Sequence, residues 1–322
     1  MKKKILVLGG HGFMGKNISE AFKGPDYEMF YLSREDDVNV AQKESLMNAL
    51  EIVNPDIIIN AAAHVGSISY VSKYAADVIH DNSAMYLTLY SCVAAFNKDI
   101  VIINPISNCS YPGIIDVQDE DKWWDGPIHP SVESYGTPKK LGFILSECYK
   151  RQYGVKTVNL IIPNAYGPND YLDEERTHAM NGIIMRMIKA QNNVDSKFVI
   201  WGTGTPIREW IYMPDMGRIY KEIIDKEMFD LPNPINIGQE FGISINELVQ
   251  KVKVALDYDV EIETDLTKQD GAPIKVLGNK LFKEHFPDFE FTTYNKGIKE
   301  AIDYYKKNMY ADDYKQFKFN PL

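Results

Sequence analysis

Unbroken apolar runs alternate with helical patterns through the first half of the chain. Ile5-Leu6-Val7-Leu8 reads as a fully buried strand, and Gly9-Gly10-His11-Gly12-Phe13-Met14-Gly15 separates it from a helix marked by Ile18, Ala21 and Phe22 and stopped by Gly24-Pro25. Met29 to Leu32 predicts a second strand and Val38-Asn39-Val40 a short third. Leu46, Ala49, Leu50 and Val53 share one helix face, closed by Pro55, after which Asp56-Ile57-Ile58-Ile59-Asn60 resumes as strand. A longer helical stretch leads to the strand Ile100 to Ile103, a helix from about Ser134 to Tyr153, and a strand from Val155 to Ile162. Strands that are apolar without alternation, separated by helices, belong to a parallel sheet covered on both faces.

Beyond Tyr166-Gly167-Pro168 the pattern is less regular. A helix near Ala179 to Gln191, strands at Phe198 to Trp201 and Trp210 to Tyr212, and a helix opened by the Ser244/Glu247 capping box follow. The predicted fold is α/β: a Rossmann-like doubly wound parallel sheet over residues 1–165. A smaller, partly interleaved α/β domain over 166–322 would bind the substrate.

The chain has 322 residues, and 35 Lys plus Arg against 45 Asp plus Glu give a net charge of −10. An acidic protein of this kind is not expected to bind nucleic acid, and an anionic ligand must be met by a few placed cations. No apolar run approaches the roughly 20 residues that cross a bilayer, and MKKKILVLGG is too short for a signal peptide, so no membrane partner and a cytoplasmic location are expected. Cys92, Cys109 and Cys148 match no zinc spacing, so no metal is expected.

Gly9-x-x-Gly12-x-x-Gly15 between strand and helix lets a pyrophosphate approach N–H groups at a helix N-terminus. At the end of the second strand, Arg34 favours the 2′-phosphate of NADP(H), while Glu35 and Asp36 keep NAD(H) open. Tyr135 and Lys139 stand four apart on one helix face, a spacing at which an ammonium lowers a phenol's pKa toward neutrality and fits it for proton transfer to an alcohol or ketone oxygen. Ser107, just past the Ile100 to Ile103 strand, joins them at the sheet edge that presents ligands.

With these residues in this order, the chain resembles the extended short-chain dehydrogenase/reductase family, also described as NAD-dependent epimerases/dehydratases. Within that family it is most similar to the GDP-L-fucose synthase group. The resemblance runs nearly end to end, through Asn60-Ala61-Ala62-Ala63-His64-Val65-Gly66, Ser107-Asn108-Cys109-Ser110-Tyr111-Pro112, Asn164-Ala165-Tyr166-Gly167-Pro168 and Trp201-Gly202-Thr203-Gly204-Thr205-Pro206-Ile207-Arg208-Glu209. It implies that Tyr135 protonates a sugar C4 oxygen as NADPH delivers hydride, that Lys139 tunes Tyr135, and that Ser107 bonds the same oxygen. Cys109 and His178 would be the acid/base pair for epimerisation at C3 and C5. By the same resemblance Gly9, Gly12, Phe13, Met14 and Gly15 hold the cofactor, with Arg34, Asn39, Ala61, Ala62, Ala63, Lys139 and Asn164. Arg186, Trp201, Arg208 and Asp270 would hold a nucleotide-diphosphate sugar. A homodimer through helices near Ala84 to Phe96 and Leu141 to Tyr153 is also implied.

Some positions depart from the group's pattern. Gly10-His11 stands where a histidine and an arginine are usual, Asn108 replaces a serine, Ile162-Pro163-Asn164-Ala165 replaces a Pro-Thr-Asn-Leu run, and Ala179-Met180-Asn181-Gly182 after His178 is more polar. These changes suggest a related sugar, such as a GDP-4-keto-6-deoxy heptose, or a branch that only reduces C4. A dehydratase would want Thr-Asp-Glu in place of Ser107-Asn108-Cys109. A non-enzymatic nucleotide-binding sensor or scaffold would not need both Tyr135 and Lys139.

Overall fold

The computed structural model describes residues 2–268 and 270–310. Its first half runs β1 (Lys3–Leu8), α1 (Phe13–Ala21), β2 (Tyr27–Leu32), α2 (Lys43–Val53) and β3 (Ile57–Asn60). There follow α3 (Ile68–Lys73), α4 (Ala75–Phe96), β4 (Val101–Ser107), α5 (Glu133–Tyr153) and β5 (Thr157–Ile162). The second half continues with β6 (Asn164–Tyr166), α6 (Ala179–Asn193), β7 (Lys197–Trp201), β8 (Ile207–Arg208), β9 (Trp210–Tyr212), α7 (Met213–Asp225) and β10 (Ile235–Asn236). It ends with β11 (Ile243–Ser244), α8 (Ile245–Leu256), β12 (Glu261–Asp265), β13 (Ile274–Lys275), α9 (Lys280–His285) and α10 (Tyr294–Asn308).

Six parallel strands form the central sheet in the order β2-β1-β3-β4-β5-β10. The order reverses at β1, so the chain leaves β1 and β3 toward opposite sides and opens a crevice at their C-terminal ends. Ile5–Leu8 of β1 and the strands β3, β4, β5 and β10 are buried on both faces, while the edge strand β2 is only half-buried. On one side β-strand isoleucines and valines meet α1 and α7, and on the other they meet α2 and α4. Because α7, β10 and the Phe282 and Phe286 side chains return to the first of these cores, the two halves of the chain interleave. A third core, around Ile184, Leu248 and Ile298, joins α6, α8 and α10 beside the small β7/β12 sheet.

One rung of the central sheet is polar. Asn60 Nδ2 donates to Asn104 Oδ1 at 3.2 Å and Asn104 Nδ2 to Asn159 Oδ1 at 3.0 Å, while Asn159 Nδ2 reaches Ser146 Oγ on α5 at 2.9 Å. All four residues are buried, and each amide makes at least one bond there, while Asn60 Oδ1 is left without a partner.

The predicted Val38–Val40 strand is absent. Asn39 Oδ1 accepts the Ala41 N–H at 3.1 Å and its own N–H goes to Ser45 Oγ at 2.9 Å, a local turn that outcompetes a ladder. The Ser244/Glu247 capping box opens α8 as expected.

Candidate active site

The glycine turn closes the crevice floor. Gly9 has φ +76°, and a Cβ there would lie 2.7 Å from Ala62 N and 2.8 Å from the Ala61 carbonyl, so only glycine lets the exits of β1 and β3 touch. Gly12 is the N-cap of α1 and offers no side-chain cap, which leaves the first-turn N–H groups of Phe13, Met14 and Gly15 at an open, positive helix end. Such a cradle fits a dinucleotide pyrophosphate. Ala61 to Ala63 border it as half-buried backbone. Arg34 is exposed just past β2, in a short turn capped by Ser33, and His11 Nε2 lies 3.0 Å from Asp36 Oδ2. Asn39 is engaged in its own turn, and Asn164 Nδ2 donates to the Glu209 carbonyl at 3.1 Å, tying β6 to the residue that precedes β9.

Ser107 ends β4, and its Oγ accepts the Cys109 N–H at 3.2 Å. The first turn of α5 presses on this segment, since a Cβ on Gly136 would lie 2.8 Å from the Cys109 carbonyl oxygen. That contact brings the start of α5, which carries Tyr135 and Lys139, against the segment that holds Cys109. Lys139 is buried, with its Nζ 5.4 Å from the Tyr135 ring centroid, yet its hydrogen bond goes to Tyr86 Oη on α4 at 3.1 Å. Burial therefore raises the Tyr135 phenol above its ordinary pKa, and the opposing pull of Lys139 does not overcome it. The net lowering expected from the Tyr135/Lys139 spacing is thus not seen in this structure.

His178 is held from behind. Asp170, fully buried, accepts from the His178 N–H at 2.8 Å, His178 Nδ1 at 3.1 Å, Thr177 Oγ1 at 3.0 Å, Asn181 Nδ2 at 2.8 Å and the Tyr171 N–H at 2.9 Å. Burial alone would lower the imidazole's pKa, but the Asp170 charge and hydrogen bond raise it overall. Burial alone would likewise raise Asp170, and His178 with the other donors brings it below the usual carboxylate value. With Nδ1 bound, Nε2 is left to carry or deliver a proton. The ring also packs against Phe13, with centroids 5.1 Å apart, at the start of α1. Cys109 is half-buried, and Lys275 Nζ stands 3.9 Å from its Sγ. Among the described residues no hydrogen bond joins Cys109 to His178.

At the other end of the cleft Trp201 is 60% exposed, which is not how a core tryptophan sits, and Arg186 lies 5.1 Å over its ring. Asp270 accepts the Thr203 N–H at 3.0 Å and the Thr203 hydroxyl at 2.7 Å, fixing the turn after Trp201. Arg208 is half-buried, and burial lowers its pKa, with the Cys109 and Asp270 charges opposing. Among the described residues neither Glu209 nor Asp215 forms an ion pair with it. Glu209 accepts the Gln239 and Leu277 N–H groups, and Asp215 holds Thr292 and Arg218.

Asn108 corrects an expectation. It is buried, and its Nδ2 donates to Gln118 Oε1 at 3.1 Å, so this departure turns away from the crevice and does not face a sugar. Tyr86, Asp170 and Lys275 were not legible as site residues, because each meets its partner only through the tertiary fold.

The NAD dependent epimerase/dehydratase family model matches residues 5–238. The chain is 28% identical over 310 residues to the GDP-L-fucose synthase of Dictyostelium discoideum, covering 95% of this chain and 96% of that one. It is 26% identical to the Escherichia coli GDP-L-fucose synthase, covering 86% and 88%. A GDP-L-fucose synthetase structure from Naegleria fowleri, bound to NADP, superposes with TM-score 0.83 at 26% identity, covering 96% and 95%. A GDP-mannoheptose C4 reductase from Campylobacter jejuni shares the fold, with TM-score 0.80 at 20% identity and coverage of 95% and 98%. From the matched residues, which take in the glycine turn, Ser107, Tyr135 and Lys139, the chain belongs to the NAD dependent epimerase/dehydratase family.

Proposed function

We propose that the protein reduces C4 of a GDP-linked 4-keto-6-deoxy sugar with NADPH, and that Cys109 and His178 add epimerisation at C3 and C5. The observation that carries this reading is the packing of the first turns of α5, which carry Tyr135 and Lys139, against the segment after Ser107 at the C-terminal end of β4. The bound cofactor would supply hydride to C4. In this reading Tyr135 gives its proton to the C4 oxygen, the Ser107 hydroxyl orients that oxygen, and Lys139 steadies the phenol and the cofactor ribose. Its raised pKa keeps Tyr135 protonated and so ready to act as the acid. His178, with its raised pKa, suits the acid of the epimerising pair, leaving Cys109 as the base. Trp201, Arg186, Arg208 and Asp270 would hold the nucleotide diphosphate, with residues 1–165 mainly binding the cofactor and 166–322 mainly the sugar nucleotide.

The outer faces of the packed helices α4 and α5 expose Leu87 and Ile144, which supports a homodimer. The three cysteines are free, which supports a reducing, cytoplasmic setting. No described helix is long and apolar enough to cross a membrane.

The test is NADPH oxidation with GDP-, CDP- and dTDP-linked 4-keto-6-deoxy sugars, with product stereochemistry read by NMR. Turnover is expected, fastest with the GDP sugar, and no turnover with any of them refutes the proposal. Incubation in D2O without NADPH should place deuterium at C3 and C5, and its absence reduces the activity to C4 reduction alone.

A further inference from the structure

Residues 168–178 form a strap from β6 to α6 that is fastened to the glycine-turn helix and the loop after β3. Asn17 Nδ2 on α1 donates to the Pro168 carbonyl at 2.9 Å, and the Ser67 N–H donates to the Glu175 carbonyl at 3.2 Å. Next to this second anchor stands Arg176. Its guanidinium lies 4.0 Å over the Tyr171 ring and 5.8 Å from the Tyr70 ring, and Nη2 donates to Tyr171 Oη at 3.0 Å. Tyr70 is itself fixed, because its hydroxyl meets His64 Nε2 at 2.9 Å while His64 Nδ1 meets Asp81 at 2.9 Å.

Arg176 has two aromatic supports and lacks a counter-charge. Its Nε is buried with no hydrogen-bond partner, and no carboxylate lies within ion-pair distance among the described residues. In a chain of net charge −10, leaving a stacked arginine without an acid beside it points to an anion that arrives from outside. The strap's fastenings place that anion over the cofactor groove. Arg34 follows β2 and the His64 that fixes Tyr70 follows β3, and these two parallel strands flank β1, so the two cations stand at the same C-terminal edge of the sheet. His11, which also borders it, already faces Asp36 at 3.0 Å.

We infer that Arg176 is a cofactor-binding residue that, with Arg34, clasps the 2′-phosphate of NADP(H) from the strap side. This rests on the NADPH reading above and deepens it by naming a residue that sets the preference over NAD(H). A planar fork held between two rings is preorganised for a phosphate, so little side-chain freedom is lost when the phosphate binds.

The experiment is direct binding, by calorimetry, of NADPH and NADH to the wild-type protein, to Arg176→Met and to Arg176→Lys. Arg176→Met should weaken NADPH by about ten- to a hundredfold, the usual range for losing a charged hydrogen-bonded contact, and leave NADH within about threefold. Arg176→Lys should lose less. An equal loss for both cofactors would move the contact to the pyrophosphate and overturn the inference, as would an unchanged NADPH affinity. Adenosine 2′,5′-bisphosphate against adenosine 5′-phosphate on the wild-type protein gives a measurement free of folding effects, and no preference between them also overturns it. If the wild-type protein binds NADH and not NADPH, the cofactor reading falls together with the inference. If NADPH binds wild type and variant alike, only the inference falls.

Discussion

Asp170→Asn isolates charge from shape at the support of His178. The carboxylate is fully buried and takes its donors on both oxygens, so the substituted amide turns an NH2 group toward N–H and O–H groups that need an acceptor. Leaving about two buried donors unsatisfied, each worth about 1–3 kcal/mol, and uncoupling a buried pair predicts a loss of about 3–5 kcal/mol. The loss depends on pH. Asp170 has a lowered folded pKa, so its contribution is present above its unfolded value of about 3.9 and disappears as pH falls through the folded value. His178 has a raised folded pKa, so its contribution is complete below about 6.5 and disappears as pH rises through the folded value. The pair therefore stabilises most between about pH 4 and 6.5. Thermal unfolding of wild type and variant should show a wider gap at pH 5.5 than at pH 8.5, and NMR titration should find the His178 pKa below its ordinary value once burial acts unopposed. A gap that stays constant across this range would show that Asp170 serves only as a hydrogen-bond acceptor and would refute the coupling.

Tyr86→Phe removes the acceptor that holds the Lys139 ammonium at 3.1 Å. It should lower kcat for reduction about tenfold with little change in the KM for the sugar, a split readable from steady-state kinetics. Leu87→Asp places a charge on the α4 face, where the leucine is 51% exposed, and should convert a dimer to monomer in sedimentation velocity while leaving the helical circular dichroism signal intact.

Local pattern carried the glycine turn, the buried strands and the capping box, because each depends on neighbours within a few residues. It failed where side chains or distant partners decide. At Val38 to Val40 two β-branched residues suggested a strand, and the carboxamide between them made a turn. The short turn at Asn108–Ser110 rotates Asn108 inward onto Gln118 while Cys109 stays half-buried, so adjacency in sequence misplaced Asn108. α7 carries an apolar face of Met216, Ile219, Tyr220, Ile223 and Ile224 in the second half of the chain. Its destination, back against α1 in the first core, is a matter of topology. Asp170 and Lys275 act on His178 and Cys109 across spacings of 8 and 166 residues that follow no helix or strand period.

The asparagine rung has a consequence for alignment. Strands such as Ile57-Ile58-Ile59 and Ile102-Ile103 could slide past one another by a residue with little change in apolar contact, since one isoleucine replaces the next. Three amides at one level forbid this, because a slip sets carboxamides against isoleucines and orphans several donors, each costing about 1–3 kcal/mol. Asn159 also hooks Ser146 of α5 to the same level. Ser107 lies three positions beyond Asn104 on β4, and Lys139 lies on the helix that Ser146 anchors, so the rung that indexes the sheet also sets the height at which the serine and the lysine meet.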